Sequence, residues 1–346
     1  MAGQTSRHIA RYAGYGLLVL VVLLAGAITF TIGWRPIIGP KTRSVDKNKK
    51  FEVTQARLER GNYLANSIGN CVICHSPLQL KGKDEAEYSG AKFSGNTELF
   101  KMGDEFFVPT KNISSDPETG IGAWTDDEVA RAIREGVSRD GHTLFPIMPY
   151  KNFSTMSDEA VASIVVYLRS LPPVKNAIPA RKIPFMLERL INGAPQPVTS
   201  AVAEPNRADK ASYGKYLATS VGDCDGCHTP TDEKGIPRPG LNFGGGNIFA
   251  ESGRPVASMN LTPDPTGISY YDEAQFLETI RTGSVKGRKL NVMMPWWNYR
   301  QMTDDDLKSI FAFLRTLPPA KHRIDNTEPP TKCPLDGNVH GLGDKN

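Results

Sequence analysis

The pattern of apolar and polar positions divides the chain into one long uncharged stretch and several amphipathic segments. Residues 13–34 carry no charge and are numerous enough to cross the ~30 Å hydrocarbon core of a bilayer as a helix. Apolar residues recur at helical spacing in 54–69, after Thr125 and after Ser157, and the last two segments begin with a capping residue followed by acidic ones. No segment alternates convincingly as a strand, so the pattern predicts an all-α fold with long connecting loops.

The N-terminal stretch predicts a membrane anchor. Arg7 and Arg11 precede it, which favours a cytoplasmic segment 1–12 and a transmembrane anchor 13–34. The alternative is a cleaved signal peptide, with a small-residue site at 25–27. The apolar run continues to Trp34 and therefore favours an uncleaved anchor. A basic stalk, 35–50, follows, so the distribution of positive charges alone does not decide the orientation.

The strongest feature of organisation is an internal repeat of about 150 residues. The first copy begins GNYLANSIGNCVICH at Gly61, and the second begins GKYLATSVGDCDGCH at Gly214. Downstream landmarks recur in the same order, ending with final helices that finish LRSLPP and LRTLPP. We therefore expect two tandem homologous domains, 51–176 and 206–323. A Pro-rich linker, 177–205, with a short helix near 185–191, would join them, and a tail, 324–346, would run over the surface.

Four of the five cysteines lie in two Cys-x-x-Cys-His pentads, a motif typical of covalent c-type haem attachment. Two thiols on one helical turn can reach both vinyl groups of a porphyrin, and the adjacent imidazole can then face the iron. A thioredoxin-like redox pair would require a βαβ context, and a zinc site could join two cysteine pairs. The repetition at matching positions favours haem. The sequence thus predicts two haem c groups, attached to Cys71, Cys74, Cys224 and Cys227 and ligated by His75 and His228.

The sixth iron ligands are predicted from the repeat. Met148 matches Met294, and each lies in a Met-Pro loop before the final helix of its copy. A thioether there gives the His/Met ligation that raises the potential of electron-transfer haems. Met156 and Met302 also match, but they immediately precede a helix start, where core packing is the simpler interpretation. Met293 is the neighbour that could substitute for Met294.

Other candidate ligands lie outside the duplicated set. His142 aligns with Arg288 and is therefore not expected to bind iron. His322 and His340 lie in or near the tail and are expected to be solvated. Cys333 has an aspartate, Asp336, where a Cys-x-x-Cys motif would have its second cysteine. We therefore do not expect a metal site in the tail.

The charge distribution argues against a nucleic-acid partner. The formal net charge of the chain is +4. Residues 1–50 contain eight Lys and Arg residues and one Asp, which leaves 33 basic and 36 acidic side chains for the rest. The excess of positive charge belongs to the anchor and its flanks, and we expect 41–50 to lie against anionic headgroups. Since haem attachment takes place outside the bacterial cytoplasmic membrane, residues 35–346 are expected in the periplasm.

Each repeat resembles a class I cytochrome c domain in its Gly-x-Tyr helix, its Cys-x-x-Cys-His pentad, its Met-Pro loop and its final helix. The segment NISSDPETGIGAWTDDEVARAIREGVSRDG, with its shorter counterpart NLTPDPTGI, resembles the cytochrome c subunits of membrane-bound alcohol and gluconate dehydrogenases. The resemblance implies that Cys71, Cys74, His75 and Met148 hold one haem and that Cys224, Cys227, His228 and Met294 hold the other.

The expected function is therefore electron transfer rather than catalysis, with no catalytic residue. A membrane-anchored dihaem cytochrome would pass single electrons on the periplasmic side. Its donor would be a quinol- or substrate-oxidising complex and its acceptor a soluble cytochrome or a terminal oxidase. The alternative is a cytochrome c subunit of a periplasmic alcohol- or sugar-type dehydrogenase. A dihaem peroxidase or thiosulfate dehydrogenase would need an open, His or Cys sixth position, against which the two Met loops argue.

Overall fold

The computed structural model describes residues 2–81, 85–98, 100–103, 105–232, 235–250 and 255–341. This part of the chain is largely helical, as the apolar pattern predicts. The first element is α1 (Ala2–Phe30), whose large apolar side chains from Tyr12 to Leu24 are exposed. By length and composition, Arg11–Phe30 is a candidate membrane span, and a signal sequence at this position would have the same properties. The helix ends four residues before the predicted end of the anchor, and α2 (Arg35–Ile38) follows a turn.

The first repeat contains α3 (Gln55–Asn66), α4 (Cys71–Cys74), α5 (Asp126–Glu135), α6 (Tyr150–Phe153) and α7 (Asp158–Ser170). Local capping sets where these helices begin. The side chain of Thr125 accepts a hydrogen bond from the Glu128 amide while the Glu128 carboxylate accepts one from the Thr125 amide, as the predicted capping box requires. Ser157 caps α7. The linker contains α8 (Phe185–Leu190) and a 3₁₀ turn, Ile191–Gly193, close to the predicted short helix.

The second repeat has the same order of elements. It contains α9 (Lys210–Tyr216), which a π-helical turn continues to Val221, then α10 (Cys224–His228), α11 (Glu273–Thr282), α12 (Trp296–Tyr299) and α13 (Asp304–Leu314). In each repeat the first long helix packs against the last, α3 on α7 and α9 on α13. Glycine makes both crossings possible, because a Cβ on Gly61 or Gly214 would collide with the carbonyl oxygen of Ser163 or Ser309.

Short antiparallel ribbons connect the helices, where the sequence pattern predicted only loops. Their strands are β1 (Leu78–Lys81) with β2 (Glu85–Tyr88), β3 (Lys101–Met102) with β4 (Phe106–Phe107), β5 (Ile248–Phe249) with β6 (Val256–Ala257), β7 (Ser284–Val285) with β8 (Arg288–Lys289), and β9 (Thr331–Lys332) with β10 (Val339–His340). Most of these strands have only two residues, too few for alternation to be visible in the sequence.

The tail corrects two expectations. It does not simply run over the surface, because the β9–β10 ribbon turns it back against the second repeat. His322 and His340, predicted to be solvated, have only 1% and 6% of their surface exposed. The stalk also differs from the prediction, since the Arg43 guanidinium forms ion pairs with Asp127 and Glu135 of α5 instead of remaining free for headgroups.

Candidate functional site

The two Cys-x-x-Cys-His pentads form matching helical turns. Each turn follows a residue in the left-handed region, Asn70 with φ 52° and Asp223 with φ 50°. Asn and Asp adopt this conformation more readily than other residues with side chains. No disulfide joins the cysteines of the described chain. Burial raises the pKa of Cys71 to about 12 and that of Cys74 to about 11. An activated redox pair has a lowered thiol pKa, so this environment argues against thioredoxin-like chemistry.

The histidine of each pentad is oriented by a backbone carbonyl. The Nδ1 atom of His75 lies 2.7 Å from the Lys111 oxygen, and that of His228 lies 2.7 Å from the Met259 oxygen. A carbonyl can only accept, so Nδ1 carries the proton and Nε2 keeps its lone pair for a metal. Burial lowers the pKa of both histidines, although these hydrogen bonds oppose the shift. Both imidazoles are therefore held neutral and ready to act as ligands.

The two Met-Pro loops share one backbone geometry. The Met148 carbonyl accepts from the Tyr150 amide at 2.8 Å, and the Met294 carbonyl accepts from the Trp296 amide at 2.7 Å. The proline that follows each methionine has nearly the same backbone torsions. They are φ −79° and ψ 48° at Pro149 and φ −78° and ψ 48° at Pro295. These are inverse γ-turns. The shared turn holds the two methionines in equivalent positions.

Both pentads and both Met-Pro loops line one continuous cavity of about 980 Å³. Most of its lining side chains are apolar, and such surroundings give the low dielectric in which a haem potential is tuned. One polar group points to a missing acceptor: the Asn291 side-chain nitrogen is buried without a hydrogen-bond partner among the described residues, and Asn291 lines the cavity. Buried donors are almost always paired. A tetrapyrrole with carboxylate side chains fits a cavity with these thiols, imidazoles and an unsatisfied amide.

The remaining methionines and His142 are also located. Met156 and Met302 are 1% and 3% exposed and belong to the hydrophobic core, as the packing interpretation predicts. Met293 lines the cavity beside Met294. His142 lines the cavity. Its Nδ1 atom lies 2.5 Å from a carboxylate oxygen of Asp140 on the same loop, so this nitrogen is already hydrogen-bonded.

A reciprocal contact between the repeats was not foreseen from the sequence. The Asn152 amide donates to Asp223 at 2.6 Å, and the equivalent Asn298 amide donates to Asn70 at 2.6 Å. Each repeat thus holds the residue that precedes the first cysteine of the other. In the sequence, Asn152 and Asn298 are recognisable only as matching positions of the two copies. That match does not reveal that the copies face each other.

The same reciprocity holds for a pair of tyrosines. The Tyr63 hydroxyl donates to Asp306 at 2.6 Å, and the Tyr216 hydroxyl donates to Ser157 at 3.2 Å. Each tyrosine leaves the first long helix of its own repeat and reaches the start of the last helix of the other. These contacts bring the two cysteine turns toward a shared interior, consistent with the continuous cavity.

No family model matches the chain, but individual proteins do. It is 29% identical over 287 residues to the cytochrome c subunit of a quinone-dependent alcohol dehydrogenase from Gluconacetobacter polyoxogenes, covering 78% of the chain and 57% of that subunit. It is 28% identical over 282 residues to the gluconate 2-dehydrogenase cytochrome c subunit of Pantoea cypripedii, covering 77% of the chain and 60% of the relative. It is 29% identical over 261 residues to a dihaem c-type cytochrome of Cereibacter sphaeroides, covering 72% and 82%.

These likenesses extend over most of the chain, which in turn spans a little over half the length of the two dehydrogenase subunits. The resemblance inferred from the motifs is confirmed, and cytochrome c relatives imply covalently bound haem c. The chain is accordingly a homologue of bacterial c-type cytochromes, including the electron-transferring cytochrome c subunits of dehydrogenases rather than their catalytic subunits.

Proposed function

We propose that this protein is a membrane-anchored dihaem cytochrome c that passes single electrons on the periplasmic side of the bacterial cytoplasmic membrane. Its repeats, 51–176 and 206–323, would be tandem class I cytochrome c domains. The observation that carries the proposal is the single cavity, into which two Cys-x-x-Cys-His turns and two Met-Pro loops converge. One such set would support one haem, and the duplication supports two.

The proposed attachment residues are Cys71 and Cys74 for the first haem and Cys224 and Cys227 for the second. The bound iron would supply reversible one-electron chemistry, and the chain would supply ligands, orientation and exclusion of water. His75 and His228 would be the proximal ligands, because carbonyl hydrogen bonds at Nδ1 leave Nε2 available.

Met148 and Met294 are the proposed distal ligands. Their inverse γ-turns have nearly the same backbone torsions and the same hydrogen bond. This equivalence is expected if both methionines have the same role. Met156 and Met302 are buried in the core, where they help to shape the cavity. Met293 has no partner of matching turn geometry in the first repeat, so Met294 is the better candidate.

The reciprocal interface supports electron exchange between the haems. Asn152 and Asn298 each reach the cysteine turn of the other repeat, and both sets of residues that would hold a haem line one cavity. A rigid interface keeps the distance between donor and acceptor fixed and requires little rearrangement when an electron moves.

A membrane position is supported by the surface that surrounds the end of α1. Beyond the candidate span, α2 lies against α8, and both helices expose large apolar side chains. Ile38 is 65% exposed, Phe185 is 73% exposed and Met186 is 60% exposed. A patch of this kind next to an apolar helix is suited to the interfacial layer of a bilayer.

The relatives favour a more specific version of this proposal, in which the chain serves a dehydrogenase. Proteins similar to this chain are cytochrome subunits of alcohol and gluconate dehydrogenases, so the electron donor here would be a periplasmic dehydrogenase acting on an alcohol- or sugar-type substrate. The acceptor would be a soluble cytochrome or a terminal oxidase. Copurification of a catalytic subunit with the native chain would distinguish a dedicated subunit from a general carrier.

The ligand assignment is tested with Met148→Ala and Met294→Ala in the holoprotein, using Met156→Leu and Met302→Leu as matched controls. Each alanine variant should lose half of the red-edge charge-transfer absorption that marks methionine-ligated ferric haem c, and the potential of that haem should fall. The leucine variants should keep both bands. Retention of the full band in either alanine variant would refute the assignment, as would intact-mass data showing one haem per chain.

A further inference from the structure

The C-terminal segment brings four metal-binding side chains together behind the second repeat. His322, Cys333, Asp336 and His340 each offer one ligand atom, and these four atoms all lie within 4.8 Å of one another. His322, Asp336 and His340 are buried, with 1%, 2% and 6% of their surface exposed, and Cys333 is half-buried. The cluster lies outside the proposed haem ligands and is not used by the proposed electron transfer.

The separations suit a tetrahedral ion. Zinc bonds of about 2.0–2.3 Å at tetrahedral angles place neighbouring ligand atoms roughly 3.3–3.8 Å apart. Nε2 of His322 lies 3.4 Å from the Cys333 sulfur and 3.7 Å from Oδ2 of Asp336. Nε2 of His340 lies 2.9 Å from the same Asp336 oxygen. None of the separations among the four ligand atoms exceeds 4.8 Å, so small side-chain movements would bring them to tetrahedral spacing.

Hydrogen bonds around the cluster orient the ligands as they do in protein metal sites. Nδ1 of His322 lies 3.0 Å from the Gly244 carbonyl oxygen, so Nδ1 carries the proton and Nε2 faces the cluster. The Leu335 amide lies 3.4 Å from the Cys333 sulfur and points its hydrogen toward it, which helps to orient the sulfur. Asp336 Oδ1 accepts from the Asn338 amide at 2.9 Å.

The first repeat provides an internal comparison. Asn176 stands where His322 stands in the second repeat, and its amide donates to the Ser94 carbonyl at 2.9 Å, the bond equivalent to that between His322 and Gly244. The structural hydrogen bond therefore needs only an asparagine. A histidine at this place adds an Nε2 atom, directed at Cys333 and Asp336, that the backbone hydrogen bond does not use.

A glycine makes room for the cluster. Gly246 has φ +109°, and a Cβ there would collide with Oδ2 of Asp336 and press on both imidazoles. The bare backbone at this position lets the four ligand atoms converge against the second repeat. The Asn338 side chain closes the same corner by donating to the Gly246 carbonyl at 2.9 Å.

We propose that His322, Cys333, Asp336 and His340 bind one zinc ion, which ties the C-terminal segment to the second repeat. The donor set of two nitrogens, one sulfur and one oxygen is one that zinc accepts, and four protein ligands make a closed, structural site. The Cys333 thiol releases its proton on binding. The thiolate and the Asp336 carboxylate then neutralise the charge of the ion between two neutral imidazoles.

The test uses the full-length holoprotein without a polyhistidine tag. Elemental analysis should give one zinc per polypeptide in addition to the haem iron. His322→Asn copies the residue of the first repeat and preserves the backbone hydrogen bond, so it should remove the zinc and leave iron content and haem absorption unchanged. His142→Asn, which alters an imidazole outside the cluster, should keep the zinc.

Cobalt substitution tests the thiolate directly. The wild-type protein, stripped with a chelator and loaded with Co²⁺, should show a thiolate-to-cobalt charge-transfer band that Cys333→Ser loses. The structural role is tested on the wild-type protein alone. Its melting temperature should fall when a chelator removes the zinc and should recover when zinc is added back. The proposal is overturned if zinc-loaded wild-type protein retains no zinc after dialysis, if His322→Asn binds it equally, or if bound Co²⁺ gives no thiolate band.

Discussion

Replacing Arg43 with alanine should destabilise the first repeat and release the stalk. Its guanidinium pairs bidentately with Asp127 at 2.7 and 2.9 Å, and its Nε donates to Glu135 at 2.7 Å. The side chains of Asp127 and Glu135 are only 3% and 1% exposed, whereas that of Arg43 is 24% exposed. Arg43→Ala therefore leaves the buried Glu135 carboxylate without its ion-pair partner and leaves Asp127 with only Lys49, whose amine lies 3.9 Å away.

The expected loss follows from the burial of the acids. Breaking a buried ion pair by removing one partner costs ~3–5 kcal/mol. The partial exposure of Arg43 admits water to the space it leaves, so the lower end, about 3 kcal/mol, is expected at pH 8. The loss should shrink toward pH 5, because both acids can then take up protons. Glu135 contributes to this trend, since burial already raises its pKa despite its bonds to Arg43.

The assay is chemical unfolding of the full chain in detergent, followed by circular dichroism at pH 5 and pH 8. Arg57→Ala is the matched control, because Arg57 also pairs bidentately, at 2.8 Å to both oxygens of Glu159, but that glutamate is 51% exposed. An exposed pair is worth at most about 1 kcal/mol. The triple variant Arg43→Ala, Asp127→Asn, Glu135→Gln should recover much of the loss, because it removes the charges of all three members of the network.

A second readout follows the stalk. A local cost of about 3 kcal/mol corresponds to roughly a hundredfold larger population of the open state, so trypsin should cut after Lys47 and Lys49 much faster in Arg43→Ala than in the wild-type protein. If unfolding changed by less than about 0.5 kcal/mol and the cleavage rate stayed the same, the buried network would not hold the stalk and the reasoning would be refuted.

Two further predictions concern the interface. Asn298→Ala should lower the free energy of unfolding by about 2–3 kcal/mol, because it leaves the Ser67 carbonyl and the Asn70 side chain without the donors now 2.9 and 2.6 Å away. Gln301→Ala, at the exposed edge, is the control, and an equal effect from both would argue against the contact. Asp223→Asn should reduce the loss of stability as pH rises from 5 to 8, measured by denaturant unfolding. Burial and then the charge of Asp225 raise the pKa of Asp223 to about 7 from 3.8, so the folded state binds that proton more tightly and loses stability through this window. An unchanged pH slope would contradict the assignment.

Local sequence features predicted the elements that local physics controls. The caps at Thr125 and Ser157 depend on neighbouring residues, and both are present in the structure. The repeat in the sequence predicted two equivalent sets of pentad and Met-Pro loop. The structure adds that both sets line one cavity. The assignment of particular iron ligands stays a prediction.

The tail shows why other features were not predictable. A metal site with two cysteine pairs has a recognisable spacing, but here the second position of the motif is Asp336 and the histidines come from 322 and 340. They are brought together by the approach of His322 to Gly244 and of the β9–β10 hairpin to Gly246. These contacts join residues 78 and 92 positions apart in the chain. No local pattern encodes such a contact, so composition suggested solvated histidines where the fold buries them.

The differences between the repeats are as informative as their likeness. Asn152 and Asn298 occupy matching positions, and each donates to the left-handed residue that precedes the cysteine turn of the other repeat. Their targets differ, Asp223 in one case and Asn70 in the other, so only the second turn is preceded by a desolvated carboxyl group. Stability of each turn, and hence the position of each proposed haem, depends on the opposite repeat. A substitution in one repeat should therefore shift the properties of the haem in the other, which independent domains joined by a linker would not allow.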